Sequence, residues 1–105
     1  MPNILGLLVG RKIQKAEMIH DYLQLWFDNG SLLNIFNVFI VMGFEIRNLS
    51  EIVGCEVVTV DVGNAEIAIV FVDEKSIRIG MSDSDYQGPE AMEYIGVGGE
   101  RVVWP

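Results

Sequence analysis

The sequence contains little of the chemistry that metal sites, disulfides and catalytic pairs need. It has one cysteine and one histidine in 105 residues. One cysteine excludes an internal disulfide and a cysteine-ligated zinc site, and one histidine excludes any catalytic arrangement that needs two. We expect His20 to lie exposed in a turn and Cys55 to be an unreactive thiol, because Glu56 beside it disfavours a thiolate. The sequence therefore predicts no catalytic residue, no metal site and no cofactor.

Positive charge and long apolar runs are also scarce. Lys and Arg number 7 against 15 Asp and Glu, which gives a net charge of −8. Binding to nucleic acid or to an anionic membrane needs positive charge to displace counterions, so this balance argues against both. The most apolar stretch, residues 38–44, is much shorter than the ~20 residues of a membrane span. The apolar N-terminus has no basic region before it, so we expect a cytoplasmic protein.

The sequence does contain an internal similarity. Shifted against itself by 44 residues, segment 10–37 aligns with segment 54–81 without a gap. Three identities anchor the alignment, at the pairs Gly10 and Gly54, Phe27 and Phe71, and Ile35 and Ile79. Between these anchors apolar positions fall on apolar positions, although chance alignment of two strand-patterned segments is the competing interpretation. We infer that one supersecondary unit is used twice.

Each unit has the period of a β-strand. Side chains two residues apart share a sheet face, so six alternating apolar residues should point into one core: Leu23, Leu25, Phe27, Ile67, Ile69 and Phe71. Turn residues such as the Asp-Asn-Gly at 28–30 bound the runs. The predicted strands are 11–19, 22–28 and 31–37 in the first unit and 55–62, 65–72 and 75–81 in the second.

Two further segments complete the prediction. A C-terminal hairpin is expected over residues 91–104, with its turn at 97–99. The segment 38–53 joins the units. Strand character is expected there around Phe39 and Val41 and over 44–46, followed by a short helical turn capped by Asn48 or Ser50.

We therefore predict one all-β domain over residues 1–105, made of two similar three-stranded antiparallel meanders plus the C-terminal hairpin. A sheet of this many strands must curl into a small barrel or fold into a two-layer sandwich in order to bury its apolar face.

Two features resemble a set of small bacterial all-β proteins of unknown function. One is the repeated pattern Gly-x-x-(Ile/Val) followed by apolar-x-apolar-x-Phe-x-(Asp/Glu). The other is the string DSDYQGPEAM at 83–92, closing on VVW at 102–104. In size and acidity the chain is also similar to immunity proteins of bacterial polymorphic and contact-dependent toxin systems. That resemblance implies a small cytoplasmic antidote that binds and blocks one toxin domain, and it implies no catalytic residues.

The negative charge is concentrated near the C-terminus. Residues 10–37 sum to zero, whereas residues 82–105 carry five acids against Arg101 and sum to −4. Such a patch can be steered to the basic groove of a nuclease, and aromatic side chains can anchor the contact. The predicted partner-binding residues are Asp83, Asp85, Tyr86, Glu90, Glu93 and Tyr94. The alternative is a solvated acidic face with its aromatic residues in the core.

The predicted function is that of a protein-binding immunity protein, which occludes a cognate toxin with a basic surface. One alternative is a β-barrel that binds a small ligand, although the space-filling core residues count against an open interior. Another is a self-associating structural module. In that case an edge strand such as 102–104 would pair with a second copy of the chain and form a homodimer. Asp83 and Asp85 imitate the start of a calcium loop, but Tyr94 stands where that loop needs a bidentate Glu.

Overall fold

The computed structural model describes residues 4–43 and 49–105, and these residues confirm the all-β class. The strands are β1 Ile13–Ile19, β2 Tyr22–Phe27, β3 Leu32–Ile35, β4 Phe39–Met42, β5 Val57–Val62, β6 Glu66–Phe71, β7 Ser76–Gly80, β8 Met92–Ile95 and β9 Arg101–Trp104. Short 3-10 helices cover Ile4–Leu8, Leu49–Glu51, Val72–Glu74 and Asp83–Asp85. Each of the six strands predicted for the two units has a counterpart whose ends lie within two residues of the expected ones, because period-2 patterning of buried residues is a strong local signal.

The strands form two antiparallel sheets. One has the order β1-β2-β3-β8-β9 and the other the order β4-β7-β6-β5. The two meanders and the C-terminal hairpin are therefore present. The closed barrel is the wrong alternative, because the described strands divide between two sheets with free edges. Two sheets that share one hydrophobic cluster are compatible with a two-layer arrangement.

The halves of the chain exchange their fourth strands. β4 leaves the first meander and pairs with β7, and β8 leaves the second meander and pairs with β3. The strand expected around Phe39 and Val41 is thus confirmed, and it completes the sheet of the other half. The expected strand at 44–46 and the cap at Asn48 lie outside the described residues. Ser50 lies inside the short helix Leu49–Glu51 and not before it, so it is not the cap.

Residues 44 positions apart make matching backbone contacts where the two meanders meet. The amide of Gly10 donates to the carbonyl of Val57 at 2.8 Å, and the amide of Gly54 donates to that of Ile13 at 2.7 Å. Both glycines have positive φ, 85° and 90°, a conformation that strains residues with a Cβ. The two meanders therefore join through paired hydrogen bonds that follow the spacing of the sequence alignment.

The same spacing recurs at two other places. The register of β1 against β2 shifts just before Lys15, and that of β5 against β6 shifts just before Thr59. Lys12 and Glu56, which are also 44 positions apart, pair with each other in an isolated antiparallel bridge. These features thus follow the same 44-residue spacing as the hydrogen bonds of Gly10 and Gly54.

One hydrophobic cluster takes side chains from both sheets. All six predicted core residues are buried: Leu23, Leu25, Phe27, Ile67, Ile69 and Phe71. The short helix Ile4–Leu8, which the sequence reading did not anticipate, adds Leu5 and Leu8 to the same cluster. The interior is thus filled by large apolar groups, as close packing requires.

Candidate protein-binding surface

The crossover segment, residues 81–91, carries the chain from β7 in one sheet to β8 in the other. It is held to both sheets by hydrogen bonds. The amide of Val38 donates to the carbonyl of Asp85 at 2.9 Å, and the hydroxyl of Tyr86 donates to the carbonyl of Pro105 at 3.0 Å. Four of the six predicted partner-binding residues lie on this segment, namely Asp83, Asp85, Tyr86 and Glu90.

The two aspartates of the crossover segment differ in their exposure and in their hydrogen bonding. Asp85 closes a capping box with Ser82, whose amide donates to its carboxylate at 3.1 Å. Its side chain also lies against Gly80, where a Cβ would collide with it. Asp83 is exposed. Asp85 therefore has a structural task that Asp83 does not share.

Glu93 belongs to a hydrogen-bond network on the outer face of the larger sheet. One carboxylate oxygen accepts from the amide of Asn34 at 3.0 Å, and the other accepts from the guanidinium of Arg101. Asn34 in turn accepts from Gln24, and Gln24 from the indole of Trp26, both at 3.1 Å. The hydrogen bond from Arg101 and the negative charge of Glu93 raise the pKa of that guanidinium. Both oxygens of Glu93 are therefore occupied within the chain.

Tyr94 lies in the core. Only 4% of its surface is exposed, and it belongs to the hydrophobic cluster that takes side chains from both sheets. On β8 it alternates with Glu93, so the two side chains point to opposite faces of the sheet. The ring of Tyr94 is consequently not available to a partner in this conformation.

A groove of about 280 Å³ opens beside the crossover segment, and we call it the aromatic groove. It is lined by Asp21, Tyr22, Phe36, Glu90 and the turn at 87–89. The rings of Tyr22 and Phe36 meet edge to face, with centroids 5.1 Å apart. Two carboxylates and two aromatic rings thus line one concave surface, and none of its lining residues is basic.

Backbone contacts position the walls of this groove. Tyr22 opens β2 directly after the tight β1–β2 turn, in which His20 is exposed and has a φ of 57°. Phe36 follows β3, and its amide donates to the carbonyl of Ala91 at 2.9 Å. That hydrogen bond holds the end of the crossover segment, and with it Glu90, beside the ring of Phe36.

A second groove, of about 200 Å³, occupies the equivalent place on the smaller sheet. Its residues Ala65, Glu66 and Gly80 stand 44 positions after Asp21, Tyr22 and Phe36. It has no rings, and Glu66 is paired with Arg78 at 2.7 Å.

Of these two grooves in the described residues, the aromatic groove is the one that combines rings with carboxylates and has no basic residue in its lining. The sequence reading did not group Asp21, Tyr22 and Phe36 as a site. A comparison of the two aligned segments could have found them. Asp21, Tyr22 and Phe36 differ in chemical type from the residues 44 positions later, whereas the neighbouring core positions are apolar in both segments.

Comparison with known proteins adds no relative. No protein-family model, no curated protein and no solved structure matches the chain. Within residues 4–43 and 49–105 no three His, Cys, Asp or Glu side chains are grouped so that they could hold a metal ion. No helix in the same residues is long and apolar enough to cross a bilayer. The molecule is thus an all-β protein of two antiparallel sheets, and its function is argued from the aromatic groove and the crossover segment.

Proposed function

We propose that this protein binds a basic protein partner through the aromatic groove and the adjoining crossover segment, and that it acts as an immunity protein covering the basic site of a toxin domain. The observation that carries the proposal is the make-up of the groove. Tyr22 and Phe36 form its apolar wall, Asp21 and Glu90 supply negative charge, and no lining residue supplies positive charge.

This make-up suits a lysine or arginine side chain. The aliphatic stem of such a side chain packs on aromatic surface while its charged head stays near solvent. A cation over an aromatic face is attracted to the ring, and a carboxylate beside it adds a charge-assisted hydrogen bond. Asp21 and Glu90 approach the ring pair from different segments of the chain, so a cation there can meet carboxylates from two directions.

The surrounding charge favours the same class of partner. Asp83 lies exposed on the crossover segment, and the chain as a whole carries a net charge of −8. A field of one sign raises the association rate with an oppositely charged protein and makes that rate sensitive to salt. A toxin that acts on nucleic acid must itself present a basic surface, because it has to bind phosphate.

The crossover segment is also held in one conformation before a partner binds. Its hydrogen bonds to Val38 and Pro105 hold it between the two sheets. A surface that is already ordered loses less conformational entropy when it binds. Of the predicted contact residues, Asp83, Asp85, Tyr86 and Glu90 therefore remain in the proposal. Glu93 contributes at most through its charge, and Tyr94 is left out.

The test starts from the product of the reading frame adjacent to this protein's gene. Co-expression should relieve the growth arrest that this product causes, and the two purified proteins should form a complex. In the variant Asp21→Asn/Glu90→Gln we expect the association rate to fall about tenfold at low salt, with a shallower salt dependence.

The matched control is Asp61→Asn/Glu74→Gln, which removes the same charge from exposed positions outside the groove lining. Equal loss of rate in both variants would show that net charge alone matters and would remove the groove from the proposal. A neighbouring product that neither binds nor arrests growth would remove the immunity function.

A further inference from the structure

The two grooves are built on matching backbone contacts. Beside the aromatic groove, the amide of Phe36 donates to the carbonyl of Ala91 at 2.9 Å. Beside the second groove, the amide of Gly80, which stands 44 positions after Phe36, donates to the carbonyl of Val38, also at 2.9 Å. The side chains of the two grooves can therefore be compared position by position.

The second groove already contains a guanidinium of the chain itself. Arg78 is among its lining residues, and its Nη1 donates to the carboxylate of Glu66 at 2.7 Å. The apolar side chains of Val38 and Ile40 line the same groove. This frame therefore accommodates an arginine head group beside a carboxylate and an apolar wall.

The corresponding position of the larger sheet carries no charge. The residue 44 positions before Arg78 is Asn34. Asn34 is 6% exposed, and its side-chain amide is hydrogen-bonded to Gln24 and Glu93 within the sheet. It does not line the aromatic groove. The aromatic groove thus has no counterpart of the Arg78 guanidinium.

The carboxylates of the aromatic groove also have no cation bound to them. Within residues 4–43 and 49–105, neither Asp21 nor Glu90 takes part in a salt bridge. Glu90 feels the positive charge of Arg101, but that guanidinium donates its hydrogen bond to Glu93. Both carboxylates of the groove can therefore accept hydrogen bonds from a ligand.

We propose that the aromatic groove binds one arginine side chain of the basic partner, in the place where the second groove holds Arg78, an inference that rests on the proposed function because it names the residue that the partner inserts. Tyr22 stands 44 positions before Glu66, so a ring replaces the carboxylate that holds Arg78. Asp21 and Glu90 supply the carboxylates of this groove instead.

The shape of the groove favours arginine over lysine. Its two rings meet at an interplanar angle of 63°, so they offer aromatic surface in two orientations. A guanidinium is planar, stacks on an aromatic face and carries several N–H donors in its plane, whereas an ammonium is a compact and more strongly hydrated point charge. A group with donors along several edges suits Asp21 and Glu90, because these carboxylates come from two different segments of the chain.

The test uses N-acetyl-L-arginine amide as the probe and N-acetyl-L-lysine amide as a control cation of the same charge. Each is titrated to about 50 mM into the isotope-labelled full-length protein at constant ionic strength, and amide shifts are followed by NMR. We expect the arginine probe to shift the amides of Tyr22, Phe36 and Glu90, and to bind about threefold or more tightly than the lysine probe. The amide of Gly80 in the second groove should not respond, because Arg78 is already there.

A charge variant tests the carboxylates. In Asp21→Asn/Glu90→Gln we expect the arginine probe to bind about fivefold or more weakly, because its charge-assisted hydrogen bonds are lost. The control Asp61→Asn/Glu74→Gln removes the same charge from exposed positions outside the lining and should leave the affinity unchanged.

A ring variant tests the preference for arginine. Tyr22→Leu should bring the two probes to similar affinities, because it removes stacking surface that distinguishes them. Its control, Trp26→Leu, removes a partly buried ring of the same strand outside the groove lining and should keep the preference. If Tyr22→Leu does not fold, Phe36→Leu carries the same expectation.

Three results would overturn the inference: no shift at the aromatic groove over the whole titration, equal affinity of the two probes, or arginine binding that Asp21→Asn/Glu90→Gln leaves intact. Each of these results leaves the proposed function standing if the neighbouring gene product still binds. Conversely, a neighbouring product that does not bind removes the proposed function, and arginine binding in that case still supports the ligand class of the groove.

Discussion

Truncation of Glu93 distinguishes a structural carboxylate from one that is free to meet a partner. In the variant Glu93→Ala the amide of Asn34 loses the acceptor that now lies 3.0 Å away. Asn34 is only 6% exposed, so water cannot fully replace that acceptor. Leaving a buried donor unpaired costs about 1–3 kcal/mol.

The other hydrogen bond of Glu93 adds little to this loss. Its partner, Arg101, keeps 60% of its side chain exposed, whereas the side chain of Glu93 is 12% exposed. A solvated ion pair contributes little to stability. We therefore expect Glu93→Ala to lower the free energy of unfolding by about 2 kcal/mol, and Arg101→Ala to leave it almost unchanged.

The assay is urea denaturation followed by tryptophan fluorescence, with Asp61→Ala as the control for removal of one charge. If Glu93→Ala is no more destabilising than Asp61→Ala, then Asn34 is not held as the structure describes. The double variant Glu93→Ala/Asn34→Leu should recover part of the loss, because it removes the buried side-chain amide of Asn34, and Gln24, which loses its acceptor there, is only partly buried. A further loss in the double variant would also refute the reasoning.

Three other variants test the fold. Gly10→Ala and Gly54→Ala should each cost about 1–2 kcal/mol of stability in the same assay, because both glycines have positive φ and no atom near the added Cβ; unequal losses would show that their surroundings are not equivalent. Tyr94→Ala should cost about 3–5 kcal/mol as a buried ring in the core, and a loss below about 1 kcal/mol would place that ring at the surface.

Strand positions could be predicted from the sequence because alternation reports which side chains are buried. Leu23, Leu25 and Phe27 alternate with residues that face outward, and the structure buries all three. Alternation does not report which strand lies next to which. The exchange of β4 and β8 between the sheets was therefore beyond the sequence, and so was the choice between a closed barrel and two sheets.

The candidate site is harder to predict, because the clustering of charges along the chain does not show which side chains reach the surface. Met92 and Tyr94 are both buried, and they flank the outward-facing Glu93. Alternation within β8 would have assigned Tyr94 to the interior. Phe36 and Glu90 are distant in sequence and meet only because the crossover segment returns to β3, which no local pattern encodes.

Because β4 and β8 are exchanged, each half of the chain depends on the other for its stability. If the first half came apart, it would strip β4 from the edge of β7, and the loss of β3 would leave β8 and β9 without a sheet to join. Neither half can melt alone, so denaturation should be all-or-none and free of half-folded species. After a cut between Gly43 and Leu49, the N-terminal peptide would lack β8 and β9 of its sheet and the C-terminal peptide would lack β4 of its sheet. Each peptide could regain the missing strands only from the other.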